Sequence, residues 1–150
     1  MKRSGKIRTL RGSFNTPSAS SKRQLIVNDG RLNFGLKVLS FTVWNNFQSA
    51  TAGCDATLSL EPIMNSTNIF DASDNRQIAW TVGGYDSSQQ IAEWREVIDP
   101  NHIVNRDLFI TLFASPNITW NYMVTCEEIE LTDDESIITL IKEDLQGNQS

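Results

Sequence analysis

Apolar and polar residues alternate along most of this chain with a period of two, the spacing that lays one face of a strand on a core. From Leu36 to Trp44, Leu39, Phe41 and Val43 fall on one face, and Ser40 and Thr42 on the other. Ala56, Leu58 and Leu60 alternate with Thr57, Ser59 and Glu61 until Pro62 stops the run. Ile78, Trp80 and Val82 follow and end at Gly83-Gly84, while Leu108, Ile110 and Leu112 face one way and Asp107 and Thr111 the other. Leu25-Ile26-Val27 is a short apolar run closed by the turn residues Asn28-Asp29-Gly30. Residues 117–131 are long for one strand, and the apolar face switches from Ile118, Trp120, Tyr122 and Val124 to Ile129 and Leu131. A bulge near Thr125–Glu127 accounts for that switch.

Short strands separated by Gly, Pro, Asn and Asp clusters predict an all-β, antiparallel β-sandwich over residues 24–131. Long helical patterns do not alternate with them, which argues against a parallel α/β sheet. One helix is expected over 132–147. Thr132 and Glu135 form a capping box, Asp133 and Asp134 sit at its positive end, and Gly147 lies just past it. Ile137, Ile138, Leu140, Ile141 and Leu145 make its apolar stripe, expected to pack on the body or a neighbour. Trp80 and Trp120 alternate with aliphatic neighbours and are expected in the core. Trp44, at a strand end, and Trp94, between Glu93 and Arg95, are the interface candidates.

Charge changes the picture. The net charge of −5 conceals a division, because residues 1–28 carry seven basic residues and no acid. The rest of the chain holds 6 basic and 18 acidic residues, so +7 is joined to −12. Residues 1–23 set Lys2, Arg3, Lys6, Arg8, Arg11, Lys22 and Arg23 among Ser, Gly, Thr and Pro17, with only Ile7, Leu10 and Phe14 as apolar anchors. Such a segment reads as a flexible, extended basic arm that orders on a negatively charged partner. Residues 127–144 hold eight acids (Glu127, Glu128, Glu130, Asp133, Asp134, Glu135, Glu143 and Asp144) against Lys142 alone. The expectation is that the arm of one copy reaches onto a neighbour's acidic region, a head-to-tail contact of the kind that closes rings or shells.

The catalytic inventory is thin. His102 is the only histidine and sits in the turn sequence Asp99-Pro100-Asn101-His102. No nucleophile elbow occurs, and Gly83-Gly84 lacks the lysine of a phosphate loop. Cys54 and Cys126 lack metal-ligand spacing and read as two reduced thiols, with a disulfide left open. Asp71-Ala72-Ser73-Asp74-Asn75 reads as a turn before a calcium loop. No enzyme, cofactor or metal is therefore expected. No apolar run reaches the roughly 18 residues of a membrane-spanning helix, and no apolar segment follows the basic opening as a secretory leader requires.

A basic arm followed by a small β-sandwich resembles the organisation of virion structural proteins with jelly-roll folds. The stretches Leu25–Leu32, Asp74–Trp80 and Ile98–Leu108, with Asn121-Tyr122 beyond, resemble short proteins of environmental, marine viral genomes over roughly residues 24–142. The resemblance implies a jelly-roll-like capsid or other virion component, made in the host cytoplasm. It implies copies of itself and other virion proteins as partners, with the packaged genome as an alternative partner of the arm. Two other classes stay open. One is a carbohydrate- or host-surface-binding sandwich using loops 45–55 and 62–77. The other is an oligonucleotide-binding protein using the arm, which the acidic body opposes.

Overall fold

The computed structural model describes residues 2–15, 20–25, 33–45, 52–62, 70–86, 88–89, 91–115 and 119–131. Among these residues are eight strands: β1 (Lys2–Asn15), β2 (Ser20–Leu25), β3 (Phe34–Asn45), β4 (Ala52–Ser59), β5 (Gln77–Asp86), β6 (Ile91–Ile98), β7 (Leu108–Ser115) and β8 (Thr119–Glu130). They form two antiparallel sheets, one of three strands in the order β1-β8-β3 and one of five in the order β2-β7-β4-β5-β6. The helix expected over 132–147 lies outside the described residues. Among the described residues no helix is long and apolar enough to cross a membrane.

Pairing is nested. The first strand lies against the last, the second against the seventh, and the fourth against the fifth. A single apolar cluster joins the two sheets into a β-sandwich-like arrangement: Phe14, Phe41, Val43, Trp120 and Val124 come from the small sheet, and Ala56, Leu58, Ile110 and Leu112 from the large one. Burying side chains of this size contributes about 1.5–3 kcal/mol each before the entropy of ordering is counted.

Two expectations about facing need correction, and register explains both. Leu39 does not share the buried face of Phe41 and Val43: β3 carries one extra residue between Val38 and Ser40, and Leu39 is pushed outward. Trp80 and Val82 likewise turn away from the core. An irregularity between Leu58 and Ser59 places Ile78 as an extra residue on β5, so Ala79, Thr81 and Gly83 face inward. Small residues are required there. A Cβ on Gly83 would stand 2.5 Å from Trp94 Cδ1 and 2.8 Å from the Val43 carbonyl oxygen. Trp80 instead lies half-buried on the outer face, its indole N–H donating to Gln77 Oε1 at 2.9 Å. Trp120 is fully buried, as its alternation predicts. The burial switch on β8 falls at Cys126 and Glu127, inside the expected span, but the extra residues sit on β1 and β3 opposite it.

The sheets are also latched at one edge. Among the described residues β3 has a ladder with β8 alone; on its other side Leu36 bridges Val104, and the Phe41 amide donates to Glu96 Oε2 of β6 at 2.8 Å. A carboxylate thus completes a backbone bond that no strand supplies. Glu96→Ala is expected to accelerate hydrogen exchange at the Phe41 amide and to lower stability by about 1 kcal/mol. Exchange at Phe41 unchanged from wild type would contradict the latch.

Candidate assembly surface

The basic N-terminal segment is built into the sheets and is not a free arm. β1 alternates Leu10, Gly12 and Phe14 toward the core with Thr9, Arg11 and Ser13 toward solvent, and pairs with β8 from Asn15↔Thr119 to Lys2↔Glu130. Phe14, one of the three apolar anchors of the basic segment, is buried in the chain's own core, its ring 5.3 Å from that of Tyr122 and tilted by 54°. Gly12 leaves room for the Tyr122 ring, since a Cβ there would stand 2.7 Å from the phenolic oxygen. Leu10 packs against the same cluster, while Ile7 remains 53% exposed. A register shift between Arg3 and Ile7 bends the strand, and Gly5 takes φ 75° within it, a left-handed conformation that costs glycine little.

The acids expected to receive a neighbour's arm face the chain's own β1. Glu127 lies opposite Ile7 and Lys37, Glu130 opposite Lys2, and Lys6 Nζ is 4.0 Å from Glu128 Oε1. With the lysine side chain 72% exposed, that pair adds little to stability. The expected matching of basic and acidic segments is therefore present within one chain, because β1 and β8 are neighbouring antiparallel strands. Asp133, Asp134 and Glu135 lie outside the described residues. Lys22 and Arg23 sit on β2, opposite Thr111 and Ile110, in the other sheet from Lys2, Arg3, Lys6, Arg8 and Arg11. The ten arm residues are thus divided between two sheets.

The interface aromatics are separated too. Trp44 is half-buried on β3 opposite Asn121, and Trp94 is 38% exposed on β6, lying over Gly83. Around Trp94 the sequence reading missed a strand. Residues from Ile91 to Val97 are all exposed, with Ile91 at 48% and Val97 at 63%. β6 buries neither face fully, so no alternation marks it. Its ladder is with β5 alone, so its other edge has no strand partner among the described residues. The free edge of β1 is in the same condition. Beside β6, Gly83 and Gly84 of β5 line an open depression of about 400 Å³ together with Val82, Tyr85, Asp86, Gln89, Ile91 and Glu93.

The other chemical candidates settle into structural roles. Cys54 and Cys126 are buried and carry free thiols. Burial, reinforced by the neighbouring Asp55, pushes Cys54 far above the usual thiol range. Burial likewise pushes Cys126 up to about 12, against the opposing charge of Arg8. Neither thiol supplies thiolate at neutral pH. Asp71 accepts from the Ser73 amide at 3.0 Å, and the Asp74 carboxylate is held by Arg76 and Gln77, so residues 71–75 form a turn. Asp99 Oδ1 accepts from the Asn101 amide at 3.0 Å, which places His102 just after a turn. Among the described residues no group of three or more His, Cys, Asp and Glu side chains is placed to hold a metal ion. Comparison with protein-family models, with curated proteins and with solved structures finds no match.

Proposed function

We propose that the chain is a jelly-roll structural protein of a virion, without catalytic chemistry, that assembles with copies of itself and with other virion proteins. The nested pairing is the observation that carries this reading. An eight-stranded antiparallel ribbon folded back on itself sets the first strand against the eighth, the second against the seventh, the third against the sixth and the fourth against the fifth. Three of these four pairs are ladders here, and the fourth pair, β3 and β6, meets at the Phe41–Glu96 bond. A complete double Greek key of the capsid and lectin kind sets a strand in the place of β6 beside β3; here β6 ladders with β5 in the five-stranded sheet and reaches β3 through Glu96.

A fold alone does not assign a role, and the surface supplies the rest of the support. Proteins that stay monomeric blunt their sheet edges with short strands, covering loops or prolines. Among the described residues the 14-residue β1 and the 8-residue β6 each have one strand neighbour, and they carry exposed Ile7, Trp94 and Val97 among charges. Size exclusion with light scattering tests the reading. The expected mass is a large multiple of the 16.9 kDa chain. A single-chain mass at every concentration would overturn it.

A second reading, a carbohydrate-binding sandwich, rests on the depression beside Gly83 and Gly84, where Tyr85 offers a ring and Asp86, Gln89 and Glu93 offer hydroxyl partners. It is favoured by a monomer that gives glycan-array signal and loses it on Gly84→Val.

A further inference from the structure

The geometry points to a specific contact between copies: we propose that the free edge of β1 pairs antiparallel with the free edge of β6 of the next molecule. The contact rests on the self-assembly reading and names its surface. Among the described residues both edges lack a second strand, and β1 from Gly5 to Ser13 and β6 from Ile91 to Val97 are largely exposed. Aligned antiparallel with Ile7 opposite Val97, the two strands match along their length. Arg8 then faces Glu96, Thr9 faces Arg95, Leu10 faces Trp94, Arg11 faces Glu93 and Gly12 faces Ala92. Two opposite-charge pairs, two apolar pairs and one pair of small residues result, which are the cross-strand combinations that stabilise antiparallel sheets.

Register is specified by the same residues. A slip of one position sets Arg8 against Arg95 in one direction and Leu10 against Arg95 in the other, and it also moves every side chain to the opposite face. In the matched register the outward residues Ile7, Thr9 and Arg11 continue the outward side of β6, which carries Glu93, Arg95 and Val97 in line with Val82 and Trp80 of β5. Arg11 and Glu93 have no ion-pair partner among the described residues, so their charges remain for a neighbour. Because β1 and β6 are different surfaces of one chain, the contact is head-to-tail and propagates, into a ring where its rotation closes and into a filament where it does not. The basic segment would thus serve twice, holding its own acidic β8 along one edge and the next copy along the other.

Charge exchange tests this in the full-length chain. Arg11→Glu and Glu93→Arg are each expected to reduce the scattering mass to that of one chain, 16.9 kDa, with unchanged far-ultraviolet circular dichroism. An equimolar mixture of the two variants, or both changes in one chain, is expected to restore the wild-type mass. Wild type that is monomeric would overturn the self-assembly reading itself, and this contact with it. Wild type that assembles while both single variants still assemble would overturn the β1–β6 contact alone. Single variants that dissociate and are not rescued by mixing or by the double exchange would overturn it as well.

Discussion

Replacing Trp120 with alanine is expected to lower the unfolding free energy by about 3–5 kcal/mol. That is a large part of the roughly 5–15 kcal/mol a domain of this kind possesses. Trp120 is fully buried on β8, the central strand of the smaller sheet, with Phe14 of β1 on one side and Asn45 of β3 on the other. Truncation opens a cavity where the first strand, the third and the last are held together. The Trp120 indole nitrogen has no hydrogen-bond partner among the described residues although it is buried. Trp120→Phe removes that unsatisfied donor together with one ring, and the two effects oppose each other. It is expected to cost only about 1 kcal/mol. Urea denaturation of the two variants measures the difference. Equal losses for alanine and phenylalanine would show that the cavity argument misplaces this side chain.

The second large effect lies in the turn before β5. Asp74 Oδ1 accepts from the Arg76 amide at 3.1 Å and from Arg76 Nε at 2.9 Å, and its Oδ2 accepts from Arg76 Nη2 at 2.7 Å. Gln77 Nε2 approaches the same oxygen at 3.4 Å, and Gln77 Oε1 accepts from the Asp71 amide and the Trp80 indole. One carboxylate therefore fixes the turn, and through Gln77 it fixes Trp80 on the outer face. Asp74→Ala leaves the half-buried Arg76 guanidinium, among the described residues, with Glu61 at 4.0 Å as its one remaining carboxylate, and is expected to cost about 1.5–3 kcal/mol. The bond to Arg76 holds the Asp74 carboxyl below its usual value of 3.8. Because the folded value is the lower one, this stabilisation is fully present above the ordinary carboxylate range. It is lost as pH falls through the folded value. Stability measured from neutral pH downward should fall less steeply in Asp74→Ala than in wild type. Parallel acid limbs for the two proteins would contradict the assignment.

What the sequence disclosed and what it withheld follow from how each strand is buried. Trp120, Tyr122 and Val124 alternate on a strand with one face in the core, so both their burial and the switch beyond them were legible. Arg8, Leu10, Gly12 and Phe14 alternate as well, but with charge in between and glycine in the middle, and the stretch reads as a solvated arm. Its strand character comes from pairing with β8, a contact more than a hundred residues away in the chain. β6 carries no period at all because nearly all of it is exposed, so its role as an edge became visible only beside β5 and β3. The inward glycine at position 83 has the same explanation: its small size answers to Trp94 and Val43, which belong to other strands.

The charge division that marked the first reading remains central in a different place. The basic end and the acidic end are joined within one chain by β1 and β8, and the edge of β1 left over faces outward. Self-assembly is decided by an electron micrograph of the purified chain. Uniform closed particles or rings built from many copies are expected. A field of single chains, unchanged as concentration rises, would contradict it.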